Sequence, residues 1–300
     1  MRVNPLYINT LVGSLDATSG TEERLTEELA SGSRVNALSD DPVAAGENVL
    51  LSAQIASDDT FSQTSASAQS LLQVSDSALS TVVSQLTSAV SLATGANNGT
   101  LSASDLQSIG NQLAGIRDEV LSVANTTYMG QYIFAGSQGQ TQPFTQDSAT
   151  NTVTYNIVND PDSTSYLQTP NGQNIQMNLP GDQVFMANGA DVLGTLNQLV
   201  ADFSSGTVSS SAQADTQALS TALSHVSQQR VLIDNSLTRL SAAQNYTQSE
   251  STNLTASQTT LLQANVGQLA TQLSTAETQQ TALSQVIATL DKQTLFNDLQ

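Results

Sequence analysis

Residues 262–290 read LQANVGQLATQLSTAETQQTALSQVIATL. Apolar or small residues recur in this stretch at alternating steps of three and four, which is the a/d spacing of a coiled-coil helix. The spaced positions are Leu262, Val266, Leu269, Leu273, Ala276, Gln280, Leu283, Ile287 and Leu290, of which only Gln280 is polar and interrupts the series. The stretch therefore predicts a long amphipathic helix whose apolar face packs on another helix.

The same spacing marks other segments of the chain. It occurs at Leu11, Leu15, Leu25 and Leu29, and again within residues 71–92, 106–123 and 219–240. A polar stretch, Tyr246–Thr260, follows the last of these, and we expect the helical register or its partner to change there. Both ends of the chain are thus predicted to be helical.

Two helix starts can be placed from local signals. Ser39-Asp40-Asp41-Pro42 combines acidic capping residues with a proline at the first helical position. The Ser31-Gly32-Ser33 break just before it is expected to end the preceding helix. A further helix is predicted to begin between Ser102 and Asp105, after the glycine- and asparagine-rich turn at residues 95–99.

From about residue 130 to 187 the helical spacing disappears. Prolines, glycines and short alternating runs such as residues 152–158 replace it, which indicates a small β-rich insert. A short helix at Gly189–Phe203 and a flexible linker at Ser204–Ser211 are predicted to lead out of it.

The predicted fold class is therefore mainly α with a β-rich insert. For the insert to project as a unit, its two ends must lie close together, so we expect an elongated α-helical rod of paired N- and C-terminal helices. The predicted division is a terminal coiled-coil domain (1–45 with 255–300), a helical rod domain (46–130 with 205–254) and the insert domain (131–204).

Composition excludes several classes of partner. Twenty-six acidic residues oppose seven basic ones, for a formal net charge of −19. Binding to nucleic acid or to an anionic membrane surface requires clustered Lys and Arg, so neither partner is expected. There is no cysteine, and neither a membrane span nor a cleaved signal peptide is expected.

No catalytic, cofactor-binding or metal-binding constellation is predicted. His225 stands alone on a helix and is expected to be a surface or interface residue. Asp40 and Asp41 are expected to cap a helix, whereas Asp58 and Asp59 are interpreted as solvated acids. We therefore expect no enzyme.

Two interpretations stay open at this stage. The group Tyr128, Met129, Tyr132, Phe134 and Phe144 could line a ligand pocket, but packing between helix and insert is favoured. The leucine-rich faces could form a core within the chain or contacts between subunits. A further hypothesis is an enzyme or a carbohydrate-binding module in the insert, for which only the proximity in sequence of Tyr155, Tyr166, Asp160 and Asp162 speaks.

Three stretches resemble the flagellin family. They are LTEELASGSRVN at 25–36 with SDDPVAA at 39–45, ANTTYMGQYIFAGS at 124–137 with Pro143-Phe144, and the C-terminal segment from LLQA at 261–264 to TLFNDL at 294–299. The middle stretch is similar to the branch of the family that joins hook to filament. Around residues 265–268 the family usually carries acidic residues, which this chain lacks.

The resemblance implies a structural subunit of the bacterial flagellum; filament flagellin is the alternative. It also implies export without a cleaved signal peptide and an extracellular position. The implied partners are copies of the chain itself, the first hook-associated protein, flagellin, the filament cap protein and an export chaperone.

We predict an assembly interface that combines the helical faces with the loop signature. Its residues are Leu11, Leu15, Leu25, Leu29, Arg34, Asn36, Asp40, Asp41, Leu262, Val266, Leu269, Leu273, Leu283, Ile287, Leu290 and Phe296. Because an amphipathic helix without a partner cannot recover its ordering entropy, the terminal segments are expected to fold only on assembly.

Overall fold

The computed structural model describes residues 5–147, 149–157 and 163–298. Within them the chain forms seven helices: α1 (Pro5–Ser31), α2 (Pro42–Ala96), α3 (Ala103–Ala124), α4 (Gly181–Phe185), α5 (Val192–Ser204), α6 (Ala212–Leu262) and α7 (Val266–Asp298). The same residues form eight short strands: β1 (Thr127–Tyr128), β2 (Gln131–Tyr132), β3 (Phe144–Gln146), β4 (Val153–Tyr155), β5 (Tyr166–Gln168), β6 (Asn174–Gln176), β7 (Met186–Ala187) and β8 (Ala190–Asp191). The prediction of a mainly helical chain with a β-rich insert is confirmed.

The chain divides into two compact units. One contains the residues up to Ser57 and those from Ser249 onward, and the other runs from Asp58 to Gln248; we call them the terminal unit and the central unit. Helices α2 and α6 contribute residues to both. The three-part division drawn from the sequence stays a prediction.

Both helix starts predicted from local signals are confirmed. Only Asp41 caps α2, however: Asp40 accepts hydrogen bonds from the loop amides of Asn36 and Ala37, so the expectation that it caps a helix is wrong. Asp41 Oδ1 accepts hydrogen bonds from the amides of Val43 (3.1 Å) and Ala44 (3.0 Å) at the start of α2. Ser102 and Asp105 form a reciprocal capping box at the start of α3. Each cap satisfies amides that have no partner inside their own helix.

The chain stays helical through the polar stretch Tyr246–Thr260, where a change of register or partner is expected. Helix α6 runs through this stretch and ends at Leu262, and α7 begins at Val266. Helix α5 begins at Val192, later than the expected Gly189, because Met186–Ala187 and Ala190–Asp191 form a hairpin. Asp191 then caps α5 by accepting a hydrogen bond from the Gly194 amide at 2.8 Å.

Helices α2 and α6 run antiparallel in the central unit. Polar side chains join them at intervals: Asn97 donates to Thr216 (2.9 Å), Arg230 Nε donates to Asp76 Oδ1 (2.6 Å), and Gln244 donates to Ser65 (3.0 Å). The Asp76 carboxylate raises the pKa of Arg230. Arg230, which the sequence places among apolar positions, is therefore held by an ion pair.

The core of the central unit contains the fully buried faces of α2 and α6 together with α3, α5 and the insert. Its largest members include Leu72, Leu79, Leu86, Leu113, Phe134, Phe144, Phe185, Leu193, Leu196, Leu199 and Phe203. Full burial of such side chains contributes roughly 1.5–3 kcal/mol each. The central unit thus has an extensive apolar core of its own.

In its described residues the insert forms four two-stranded antiparallel hairpins. Phe134 and Phe144 each meet Phe185 edge to face, with ring centroids 5.1 and 5.5 Å apart. The Asn125 side chain exchanges two hydrogen bonds with the backbone of Phe144, at 2.9 and 3.0 Å. This pair joins the end of α3 to the insert, so packing is confirmed for Phe134 and Phe144.

The expectation of packing is wrong for Met129. This residue is 85% exposed and has a φ of 51°, and Gly130 beside it has a φ of 80°. Two successive positive φ values are typical of the tight turn of a hairpin. The turn between β1 and β2 projects the methionine into solvent.

Candidate assembly interface

Helices α1 and α7 form an antiparallel pair in the terminal unit. Leu25, Ala264, Leu269 and Ala276 are buried where they meet, and Leu29 and Leu273 pack against them. Farther along the pair, Gln280 Nε2 donates to Ser19 Oγ at 3.1 Å. The C-terminal face that the sequence singles out therefore packs on α1 of the same chain.

The loop between α1 and α2, residues 32–41, is bound to the connection between α6 and α7. The Arg34 amide donates to the Leu262 carbonyl at 2.8 Å, and the Ala264 amide donates to the Gly32 carbonyl at 3.0 Å. Ser33 and Gln263 form an antiparallel bridge. The loop and the connection are thus paired through backbone hydrogen bonds, as two short antiparallel strands would be.

The Arg34 side chain reinforces this junction. Its Nε donates to the Leu261 carbonyl at 3.0 Å, and its Nη1 lies 2.8 Å from Asp41 Oδ2. Since Asp41 also caps α2, the guanidinium links three parts of the terminal unit: the loop, the end of α6 and the start of α2.

Backbone amides hold both acidic residues of the loop in their ionised form. The amides of Ala37 (2.8 Å) and Asn36 (3.0 Å) donate to Asp40 Oδ2 and lower the pKa of Asp40. The amide of Ala44, followed by the Arg34 side chain, lowers the pKa of Asp41. Hydrogen bonds to a carboxylate favour its charged form.

A second polar contact lies on the α2–α6 side of the terminal unit. Gln258 Nε2 donates to Asn48 Oδ1 (2.7 Å) and to Ser52 Oγ (2.8 Å). Sequence reasoning missed this contact, because glutamines and serines are frequent in the chain and nothing local distinguishes these three.

The structure places the described side chains of the predicted interface in three environments. Leu25 and Leu269 are buried, whereas Arg34, Asn36, Asp40 and Val266 are exposed, with Val266 56% accessible. The side chain of Phe296 lies outside the described residues. Half-buried positions are Leu11, Leu15, Leu29, Asp41, Leu262, Leu273, Leu283, Ile287 and Leu290.

A set of exposed apolar residues was missed from the sequence. Leu38, Val43, Val49 and Leu50 are each between 66% and 72% exposed in the terminal unit. Their spacing does not continue an a/d pattern, but four large apolar side chains within 13 residues of a polar segment were a usable signal. Exposed apolar clusters are typical of contact surfaces.

The remaining candidate residues carry no identifiable chemistry. His225 Nε2 donates to the Gln183 carbonyl at 2.7 Å, and Tyr155 packs on Phe144 with centroids 5.1 Å apart. Asp58 is buried, so its interpretation as a solvated acid is wrong. Asp160 and Asp162 lie outside the described residues.

The described part of the chain shows neither a cluster of metal-binding side chains nor a helix able to cross a membrane. No group of three or more His, Asp or Glu side chains is placed to hold a metal ion. None of the helices there combines the length and hydropathy that a membrane crossing requires.

The N-terminal part of this fold, from α1 to the β1–β2 hairpin, is similar to a known family. Residues 8–139 match the family described as bacterial flagellin N-terminal helical region. The resemblance drawn from the sequence is confirmed, and α1, the loop and α2 lie within the matched part.

Among named proteins, the chain is similar to flagellar hook-associated protein 3. It is 37% identical to that protein of Escherichia coli K12 over 122 residues, which cover 40% of this chain and 38% of the relative. It is also 37% identical to that of Salmonella typhimurium LT2 over 124 residues, covering 41% and 39%. The matched segments thus span less than half of these relatives.

A solved structure supports the fold. Flagellar hook-associated protein-3 from Legionella pneumophila superposes with a TM-score of 0.61 at 15% identity, covering 71% of this chain and 98% of that one. At this identity, the likeness concerns the fold alone.

Proposed function

We propose that the chain is a structural subunit of the bacterial flagellum that joins hook and filament by helical self-assembly. One observation carries the proposal: the matched N-terminal helix α1 is paired with α7, and the α1–α2 loop is bound to the α6–α7 connection. The name shared by the two 37% identical relatives directs it to the junction and away from filament flagellin.

The physical basis is incomplete burial in the terminal unit. Its described core is four buried apolar residues, and most positions of the predicted helical faces stay half-buried. Tyr7, Val12, Leu38, Val43, Val49, Leu50, Val266 and Val286 are exposed. Burying such a side chain stabilises an assembly by roughly 1.5–3 kcal/mol, so contacts with neighbouring subunits would offset the cost of ordering.

The proposal includes partners and location. The chain would contact copies of itself, the first hook-associated protein, flagellin and the filament cap protein, and would bind an export chaperone before assembly. It would be exported without a cleaved signal peptide and act outside the cell. With a net charge of −19 it would bind neither nucleic acid nor an anionic membrane, and it would have no catalytic activity.

Immunoelectron microscopy of flagella from the organism that carries this gene tests the proposal. Antibodies raised against the purified chain should label one point between hook and filament. A strain lacking the gene should keep its hooks, lose attached filaments and regain them when the gene is restored. Labelling along the entire filament would show a filament flagellin instead, and normal filaments in the deletion strain would reject a junction role.

A further inference from the structure

Arg239 differs from the other arginines that the structure describes. Arg24, Arg34, Arg117 and Arg230 each lie 2.6–2.8 Å from a carboxylate oxygen. Within the described part of the chain Arg239 forms no such pair, and its Nη2 donates to the carbonyl of Asn174 at 3.0 Å. Because a guanidinium carries five N–H donors, most of its donors remain available to a ligand.

Arg239 borders a cavity of about 260 Å³ in the central unit, between α6 and the turn of the β5–β6 hairpin. Ile175 and Ala242 contribute apolar wall, and Tyr246, which is 57% exposed, also lines it. Thr247 lies in the same wall; it is only 2% exposed, and its hydroxyl has no hydrogen-bond partner in the structure as described. The cavity therefore combines a cation, apolar surface and a buried hydroxyl without a partner.

These features select an anion of single charge. No carboxylate belongs to the described lining, so the charge of Arg239 is not neutralised there. One guanidinium in a chain of net charge −19 is a poor match for a dianion such as phosphate, which the surrounding field would repel. A carboxylate, by contrast, fits the planar fork of a guanidinium with two parallel hydrogen bonds.

We propose that this cavity binds a carboxylate carried on a short aliphatic stem, as in the side chain of glutamate. The carboxylate would lie on Arg239, and the stem would lie against Ile175 and Ala242. A ligand oxygen near Thr247 would give its hydroxyl the partner that it lacks. The ligand could be a free carboxylate or a glutamate on another polypeptide; the recognition chemistry is the same.

The test uses the full-length isolated chain labelled with ¹⁵N. It is titrated with N-acetylglutamate N-methylamide, with the matched glutamine derivative and with propionate, while the amides of Tyr246 and Thr247 and the Nε of Arg239 are observed by NMR. We expect saturable shifts with the glutamate derivative and none with the glutamine derivative. Equal saturation by propionate identifies a free carboxylate as a sufficient ligand, whereas clearly weaker binding of propionate favours a glutamate side chain.

Variants of matched charge complete the design. R239Q should weaken binding of the glutamate derivative at least tenfold, and R239K should fall between, because lysine keeps the charge and loses the fork. R24Q removes the same charge from the terminal unit and should bind as the wild type does. Equal responses to both derivatives, no saturable shift, or an R239Q chain that binds like R24Q would overturn the proposal. Because no flagellum is needed, this outcome is independent of the junction test.

Discussion

Arg34 forms contacts that its neighbours in the sequence do not reveal. The cap formed by Asp41 was predictable, because an acid before a proline acts on amides two and three residues away. The partner of the Arg34 Nε is a carbonyl 227 residues away. Only the folded chain brings the two together, so the sequence could indicate Arg34 as a site residue but not its contacts.

Replacing Arg34 by alanine tests the junction between the α1–α2 loop and the α6–α7 connection. R34A removes the hydrogen bond to Leu261 and the ion pair with Asp41, and keeps the backbone bond to Leu262. Since the Arg34 side chain is partly exposed, we expect the free energy of unfolding to fall by about 1 kcal/mol. In assembled fibres, hydrogen exchange at the Ala264 amide should then rise roughly fivefold.

R24A provides the matched control for R34A, because Arg24 pairs within α1 with Glu28. R24A should change the hydrogen-exchange rate of the Ala264 amide only slightly. Equal exchange in the two variants would show that Arg34 does not hold the junction.

The pKa of Asp215, in the central unit, is shifted in the opposite direction to those of Asp40 and Asp41. Burial, and then the hydrogen bond and charge of Asp202, raise the pKa of Asp215. Asp202 is itself buried, and its Oδ1 accepts a hydrogen bond from Ser211 at 2.8 Å. A carboxyl whose pKa is raised in the folded state contributes stability below its unfolded pKa and loses it as pH rises through the folded value.

The melting temperature of the central unit should therefore increase as pH falls from neutral toward about 4, the unfolded pKa of aspartate. Part of this increase reflects the general acidity of the chain, so the D215N variant is the reference. D215N should be more stable than the wild type at neutral pH and should show a weaker pH dependence in thermal unfolding. Identical pH profiles for the two chains would contradict the coupling.

At the scale of elements, the start of α2 could be predicted from the sequence better than the course of α6. The start of α2 is fixed by its own capping residue. The course of α6 depends on distant contacts: Thr247 is buried, and Gln258 binds two side chains of α2. Such contacts override the weak helix propensity of a polar stretch, so Tyr246–Thr260 stays helical.

The α1–α7 pair yields a prediction with an internal control. Leu269 is buried against α1, whereas Val266, one turn earlier on the same helix, is 56% exposed. L269D places a charge in a core of four buried residues and should prevent incorporation into fibres, with the insert still folded. L283D, at a half-buried position, should act in the same direction.

V266D introduces the same charge on an accessible site and should reduce incorporation much less. Sedimentation of assembled fibres and circular dichroism of the soluble chain measure the two effects separately. Equal loss in V266D and L269D would show that the outer face of α7, and not its contact with α1, governs assembly.

At the scale of the whole molecule, the two units differ most in how much apolar surface they bury. The central unit has a cluster of thirty-three buried apolar residues, and the terminal unit has a cluster of four among the residues described. The helical ends and the β insert could be predicted, because periodicity and composition are local properties. The hairpin pairings and the distribution of burial could not, since both depend on contacts between distant parts of the chain.

This difference predicts that the terminal unit is ordered only in the assembled state. Fixing the backbone costs roughly 1–2 kcal/mol per residue, and a core of four residues in a pair of long helices recovers too little of that cost. In the isolated chain, amides of α1 and α7 should exchange within seconds, while α3 and the central part of α6 stay protected; in fibres all four should be protected.

Hydrogen exchange followed by mass spectrometry measures this protection in the monomer and in the fibre, and the protected central unit serves as the control. Protection of α7 in the monomer equal to that of α3 would show that the terminal unit folds without neighbours, and assembly would then have to be driven by its exposed apolar residues, such as Leu38, Val43, Val49 and Leu50.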